Sequence, residues 1–148
     1  MSDTMANANP YSDDLYNKEL LRLAGQGDCR LDDADVSITH DNPLCGDRIT
    51  IDLKFEGTQV KEVGYKARAC ALCKASAELI KELAPGTELS LLQEIHLKLK
   101  NQLKNNEPIS PLQNWEKFNI FQPVTKIKNR HTCILLPFQA LAKIERNS

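Results

Sequence analysis

Three cysteines and an aspartate stand where metal chemistry would place them. They are Cys45 and Asp47 in Asn42-Pro43-Leu44-Cys45-Gly46-Asp47, Cys70 in Ala69-Cys70-Ala71-Leu72-Cys73, and Cys133 in Arg130-His131-Thr132-Cys133. A tetrahedral soft-metal site takes about four ligands drawn from cysteine, histidine and carboxylate. Gly46 lets the backbone turn tightly, so that Cys45 and Asp47 can face one point. Cys70 and Cys133 are read at helix starts, where partial positive charge favours thiolate, the form that binds metal and attacks sulfur. Convergence of the three loops is an expectation that spacing does not prove.

Each of these residues has a plainer role open to it. A lone cysteine is more often a small buried hydrophobe than a ligand. Cys29 is read that way, or as a surface thiol. Cys73 shares a helix face with Cys70, which fits core packing, a redox pair or half of a zinc knuckle. His131 is a candidate ligand, base or helix-cap residue, while His40 and His96 are read as structural or solvent-facing. Lys98, Lys100, Lys104 and Lys117 are read as a solvated face.

The elements that must position these residues are legible in outline. Ile49, Ile51, Leu53 and Phe55 alternate with Thr50, Asp52, Lys54 and Glu56, a strand with one buried face. Gly57-Thr58 turns into a second strand, Val60 to Ala69. There Val60 is out of phase with Val63, which predicts a bulge. Val36 and Ile38 mark an earlier strand and complete a three-stranded antiparallel meander. Helices are expected over Leu15–Leu23, from Cys70 to Pro85, and from Ser90 to Leu103, with Ser90 and Gln93 as a capping box. Residues 109 to 124 read as a short helix or packed irregular segment. A last helix uses Leu135, Phe138, Leu141 and Ile144, with Pro137 in its first turn. Strands first and helices after define an α+β fold with helices packed on one sheet face.

Composition bounds the function. The chain of 148 residues fits one domain, read as 11–148 behind a polar, disordered tail at 1–10. A net charge of -1 without a basic block gives non-specific nucleic-acid or membrane-surface binding no electrostatic support. No leader or membrane-length apolar run is evident, so a cytoplasmic location is expected. Five cysteines, an odd number, argue for reduced thiols over a disulfide framework.

The three motifs together resemble one family. Asn42-Pro-Leu-Cys-Gly-Asp looks like the signature of U-type iron–sulfur cluster assembly scaffolds, the IscU, SufU and NifU N-terminal family. Cys70 with Lys74-Ala75-Ser76-Ala77, and Cys133 with Leu136-Pro137-Phe138-Gln139, resemble its second and third cysteine regions. The long stretch between Cys70 and Cys133, and Arg130 three residues before Cys133, are closest to the SufU branch. Ala69 stands where the family usually has glycine, His131 is displaced by one from the histidine of IscU, and the Leu-Pro-Pro-Val-Lys chaperone motif of IscU is absent.

The resemblance implies a site of Cys45, Asp47, Cys70 and Cys133 holding Zn2+ or a transient [2Fe-2S] cluster. It implies sulfur delivery as persulfide from a PLP-dependent cysteine desulfurase, with apo iron–sulfur proteins or carriers downstream. Cys45 is then the sulfur acceptor, supported by Arg130 or His131, and Cys133 is its rival. The chain would be a scaffold or zinc-dependent sulfurtransferase rather than a conventional enzyme. A carboxylate among thiolates suits an exchangeable site, whereas a purely structural zinc favours a closed set such as four cysteines. The competing classes are a small zinc-stabilised binding module without sulfur chemistry, and a thiol oxidoreductase using Cys70 and Cys73.

Overall fold

A computed structural model describes residues 13–43, 46–107 and 115–144. The tail expected at 1–10, Cys45 itself and the first part of the 109–124 segment lie outside the described residues. Helix α1 (Asp13–Ala24) leads into strands β1 (Val36–Asn42), β2 (Asp47–Glu56) and β3 (Gln59–Arg68). Helices α2 (Ala71–Leu83) and α3 (Leu89–Lys104) follow, then 3₁₀ segments Glu116–Lys126 and Lys128–Arg130, and helix α4 (His131–Ala142). The sheet is an antiparallel meander in the order β1-β2-β3.

The period-two pattern of β2 puts Ile49, Ile51, Leu53 and Phe55 into the core. The expected irregularity is present: β2 and β3 pair Leu53 with Val63 but Phe55 with Val60. The extra residue on β3 brings Val60 and Val63 to the same buried side. Both α2 and α4 pack on the sheet. Tyr65 of β3 donates to Glu78 of α2 at 2.8 Å, both side chains being buried. Burial and the neighbouring Glu82 hold the Glu78 carboxyl above its ordinary range.

The opposite face of the sheet is not simply solvated. Asp52 is fully buried there, because the Asp28–Leu31 segment runs along β3 and over the sheet. Cys29 and Tyr65 exchange two backbone hydrogen bonds, at 2.9 and 2.8 Å. Gly64, directly opposite Asp52 in the β-ladder, makes room for this crossing. A Cβ at Gly64 would stand 2.6 Å from the Cys29 carbonyl oxygen and 2.9 Å from the Leu31 nitrogen.

Two expectations are corrected among the helices. Helix α3 starts at Leu89 after Glu88, with no side-chain cap. Gln93, expected to complete a capping box, instead donates its amide to the Ile144 carbonyl at 3.2 Å, just past the end of α4. Pro137 lies inside α4, well past the first turn. Burial explains its tolerance: α4 has eight buried residues in twelve, so packing outweighs the lost amide donor. Cys133 consequently sits within the first turn of α4. The 3₁₀ segments bring Phe118 and Phe121, with the adjacent Trp115, into a ring cluster with Phe138.

Candidate metal centre

Asp47 opens β2 directly opposite Asn42, the last residue of β1. Gly46 takes φ +75°, and its amide donates to the Asn42 carbonyl at 2.9 Å, which closes the corner. Asp47 shares the parity of Ile49, Ile51 and Leu53, so its carboxylate points toward the helices. Cys70 is the N-cap of α2, immediately beyond β3, and its thiol makes no capping hydrogen bond. Cys133 enters from α4 and is 3% exposed.

One donor atom from each of Asp47, Cys70 and Cys133 lies within 4.8 Å of the other two. Ligands on a tetrahedral zinc, at roughly 2.0–2.3 Å from the metal, stand about 3–4 Å apart. Small adjustments bring this group to a coordination sphere. Asp47 is 9% exposed, and its Oδ2 is buried without a hydrogen-bond partner among the described residues. A buried carboxylate oxygen facing two thiols carries a large desolvation cost unless a cation balances it. The donor set therefore fits a soft or borderline cation, bound by two sulfurs and one oxygen, with one coordination position left for a fourth ligand. Cys45 adjoins this group in sequence but lies outside the described residues.

The corner opens to solvent through a depression of about 430 Å³. Asp41, Asn42, Pro43, Gly46, Asp47, Arg48 and Arg68 line it. Arg48 donates to both oxygens of Asp41, at 2.6 and 3.3 Å. Arg68 stands directly across the ladder from Arg48 and has no ion-pair partner among the described residues. These guanidiniums at the mouth of the site were not anticipated from sequence. Their pairing depends on the bulge between Lys54 and Phe55, which resets the register by one residue.

The remaining sequence candidates are placed elsewhere. Arg130 is exposed at the N-cap of α4. The His131 Nε2 lies 2.9 Å from the Thr125 carbonyl oxygen, to which it donates, and the ring lines a separate groove with Lys100 and Lys128. Residues two apart on a helix point about 200° apart, so His131 faces away from Cys133. Cys73 is fully buried core and Cys29 is exposed. Among the described residues no helix is long and apolar enough to cross a membrane.

Comparison with known proteins gives the family. The model of the NifU-like N-terminal domain family matches residues 24–130, which include Cys45, Asp47 and Cys70 and stop just short of Cys133. The chain belongs to this family, whose relatives are iron–sulfur cluster assembly proteins. It is 31% identical to the iron–sulfur cluster assembly scaffold protein IscU of Thermotoga maritima, over 68% of this chain and 80% of that one. It is 25% identical to the zinc-dependent sulfurtransferase SufU of Bacillus subtilis, over 73% of each chain. A crystal structure of a NifU-like N-terminal protein from Brucella abortus superposes with a TM-score of 0.79 at 32% identity, covering 88% of this chain and 92% of that one. This confirms the α+β architecture expected from the meander and the helices behind it.

Proposed function

We propose that this protein accepts persulfide sulfur from a PLP-dependent cysteine desulfurase at a site formed by Cys45, Asp47, Cys70 and Cys133, and that the same site holds a [2Fe-2S] cluster once iron and a thiol or ferredoxin-type reductant supply the metal and the two electrons each sulfur needs to become sulfide. The observation that carries the reading is an Asp47 carboxylate oxygen within 4.8 Å of the Cys70 and Cys133 thiols, on a carboxylate whose buried Oδ2 has no hydrogen-bond partner among the described residues. A resident Zn2+ would be held by these residues, keeping the thiols as thiolates and the loops together. A [2Fe-2S] cluster is the cargo the same ligands would carry to apo iron–sulfur proteins or carriers. The expected setting is the reducing cytoplasm, where thiols stay free.

The sulfur step is a thiol–persulfide exchange. The Cys45 thiolate attacks the outer sulfur of the desulfurase persulfide, forming a Cys45 persulfide and releasing the desulfurase thiolate. Supporting this choice, Gly46 and Asp47, which follow Cys45 in the chain, line the open depression, whereas Cys133 is buried. Arg68 at the mouth of that depression, without an ion-pair partner among the described residues, would favour the approach of an anionic persulfide.

The test is anaerobic purification, quantification of zinc and iron, and desulfurase turnover with and without the protein. Zinc or iron near one equivalent, stimulated sulfide release and a persulfide on wild type but not on Cys45→Ala are expected. A metal-free, natively folded protein that leaves the desulfurase unaffected would overturn the proposal.

A further inference from the structure

On the side of α4 that His131 faces lies a second opening, of about 260 Å³, lined by Lys100, Leu103, Lys104, Lys128, His131 and Leu135. Its base is apolar, since Leu103 and Leu135 are core residues. Its rim is cationic. Lys100 and Lys104 lie one turn apart on α3, and Lys128 comes from the short 3₁₀ segment. Among the described residues no carboxylate lines the groove. None of the three lysines has an ion-pair partner among the described residues. Beside the rim, Ile127 is 48% exposed and Lys126 and Arg130 are exposed. In a chain of net charge -1, such a cluster is a local segregation of charge.

We propose that this groove docks an acidic peptide segment of a partner protein. Its carboxylates would meet Lys100, Lys104 and Lys128, and one aliphatic or aromatic side chain would sit on Leu103 and Leu135. Charge complementarity selects the occupant. The opening is smaller than most small-molecule sites, at roughly 300–1,000 Å³, and suits a single anchoring side chain. Nucleic acid fits less well. A phosphodiester backbone gains nothing from an apolar base, and a chain of net negative charge supplies no long-range attraction for a polyanion. The groove uses none of Asp47, Cys70 or Cys133, so the proposal is independent of the sulfur-transfer reading.

The experiment is fluorescence anisotropy at near-physiological salt. The probe is a labelled peptide of alternating Glu and Asp around one Leu and one Phe. Three comparisons accompany it: the same peptide with Gln and Asn for the acids, the same peptide with Ser for Leu and Phe, and an oligouridylate. The variant is Lys100→Glu with Lys104→Glu and Lys128→Glu, its folding checked by circular dichroism. Wild type should bind the acidic peptide, with NMR shift changes at His131 and Leu135. The triple variant should bind roughly tenfold more weakly or worse, and both altered peptides should lose affinity. Absent wild-type binding, equal binding by the folded triple variant, or equal binding of the Ser-substituted peptide or the oligouridylate would overturn the proposal.

Discussion

Asp47 and Asp52 lie on the same strand, on opposite faces, and both are buried. Their surroundings differ in kind. Asp52 accepts from Arg30 Nε at 2.6 Å and Nη2 at 3.0 Å, from the Leu31 amide at 3.0 Å and from Ser37 Oγ at 2.6 Å. Asp47 has a buried oxygen with no donor among the described residues and two thiols close by. Burial pushes the Asp52 carboxyl up, but the hydrogen bonds from Arg30, Ser37 and Leu31 outweigh it and hold the pKa below the usual carboxylate range. One aspartate is satisfied by the protein; the other keeps a buried oxygen with no hydrogen-bond partner among the described residues. A buried acid whose partners are all present is architecture, and a buried acid whose partners are missing marks a binding site.

The contrast can be broken by exchanging what each residue lacks or has. Asp47→Ala should weaken zinc binding by on the order of 100-fold, read by competition with a chromophoric chelator, while Asp52→Ala should change it by less than about threefold. An equal loss in both variants would erase the distinction. On stability the order reverses: Asp52→Ala should cost about 2 kcal/mol in urea unfolding, because the Leu31 amide and the Ser37 hydroxyl lose their acceptor. Gly64→Ala should cost about 1–2 kcal/mol through the same neighbourhood, since its Cβ meets backbone that cannot step aside.

Asp47→Asn in metal-free protein should shift stability by no more than about 0.5 kcal/mol, or raise it, because the uncompensated charge is gone. The acid limb sharpens the comparison further. The Asp52 pKa is depressed in the fold, so its contribution is present above the unfolded value of about 4 and is lost as pH falls through the folded value. Wild type should therefore lose stability below about pH 4, and Asp52→Asn should flatten that part of the profile. An unchanged slope in the variant would assign acid sensitivity elsewhere.

The sequence displays the two aspartates unequally. Asp47 is conspicuous beside Cys45 and Gly46, whereas Asp52 looks like one more polar residue on a solvated strand face. Its burial depends on the Cys29–Leu31 crossing above Gly64, a long-range contact that no local pattern records. The alternation of β2 and the phase break at Val60 are local, and the structure reproduces both. Gln93 departs from the capping-box pattern because its partner is the carbonyl of Ile144, in a distant part of the chain. Pro137 was misplaced because burial of α4, not local preference, decides where that helix begins. The side of α4 that His131 occupies was fixed by helical rotation once that start was known. Its proximity to Cys133 in the chain therefore says little about shared work.

The three ligand residues also divide the chain in a way that matters for its topology. Asp47 to Cys70 is a short interval, and Cys70 to Cys133 is more than twice as long. A cation bound to all three would tie the chain into two closed loops. By analogy with covalent cross-links, such ties restrict the unfolded chain by about 3 kcal/mol for the shorter loop and about 4 kcal/mol for the longer. Loading and unloading the site would thus act as a reversible staple, and the folded lifetime of the protein would report what it carries.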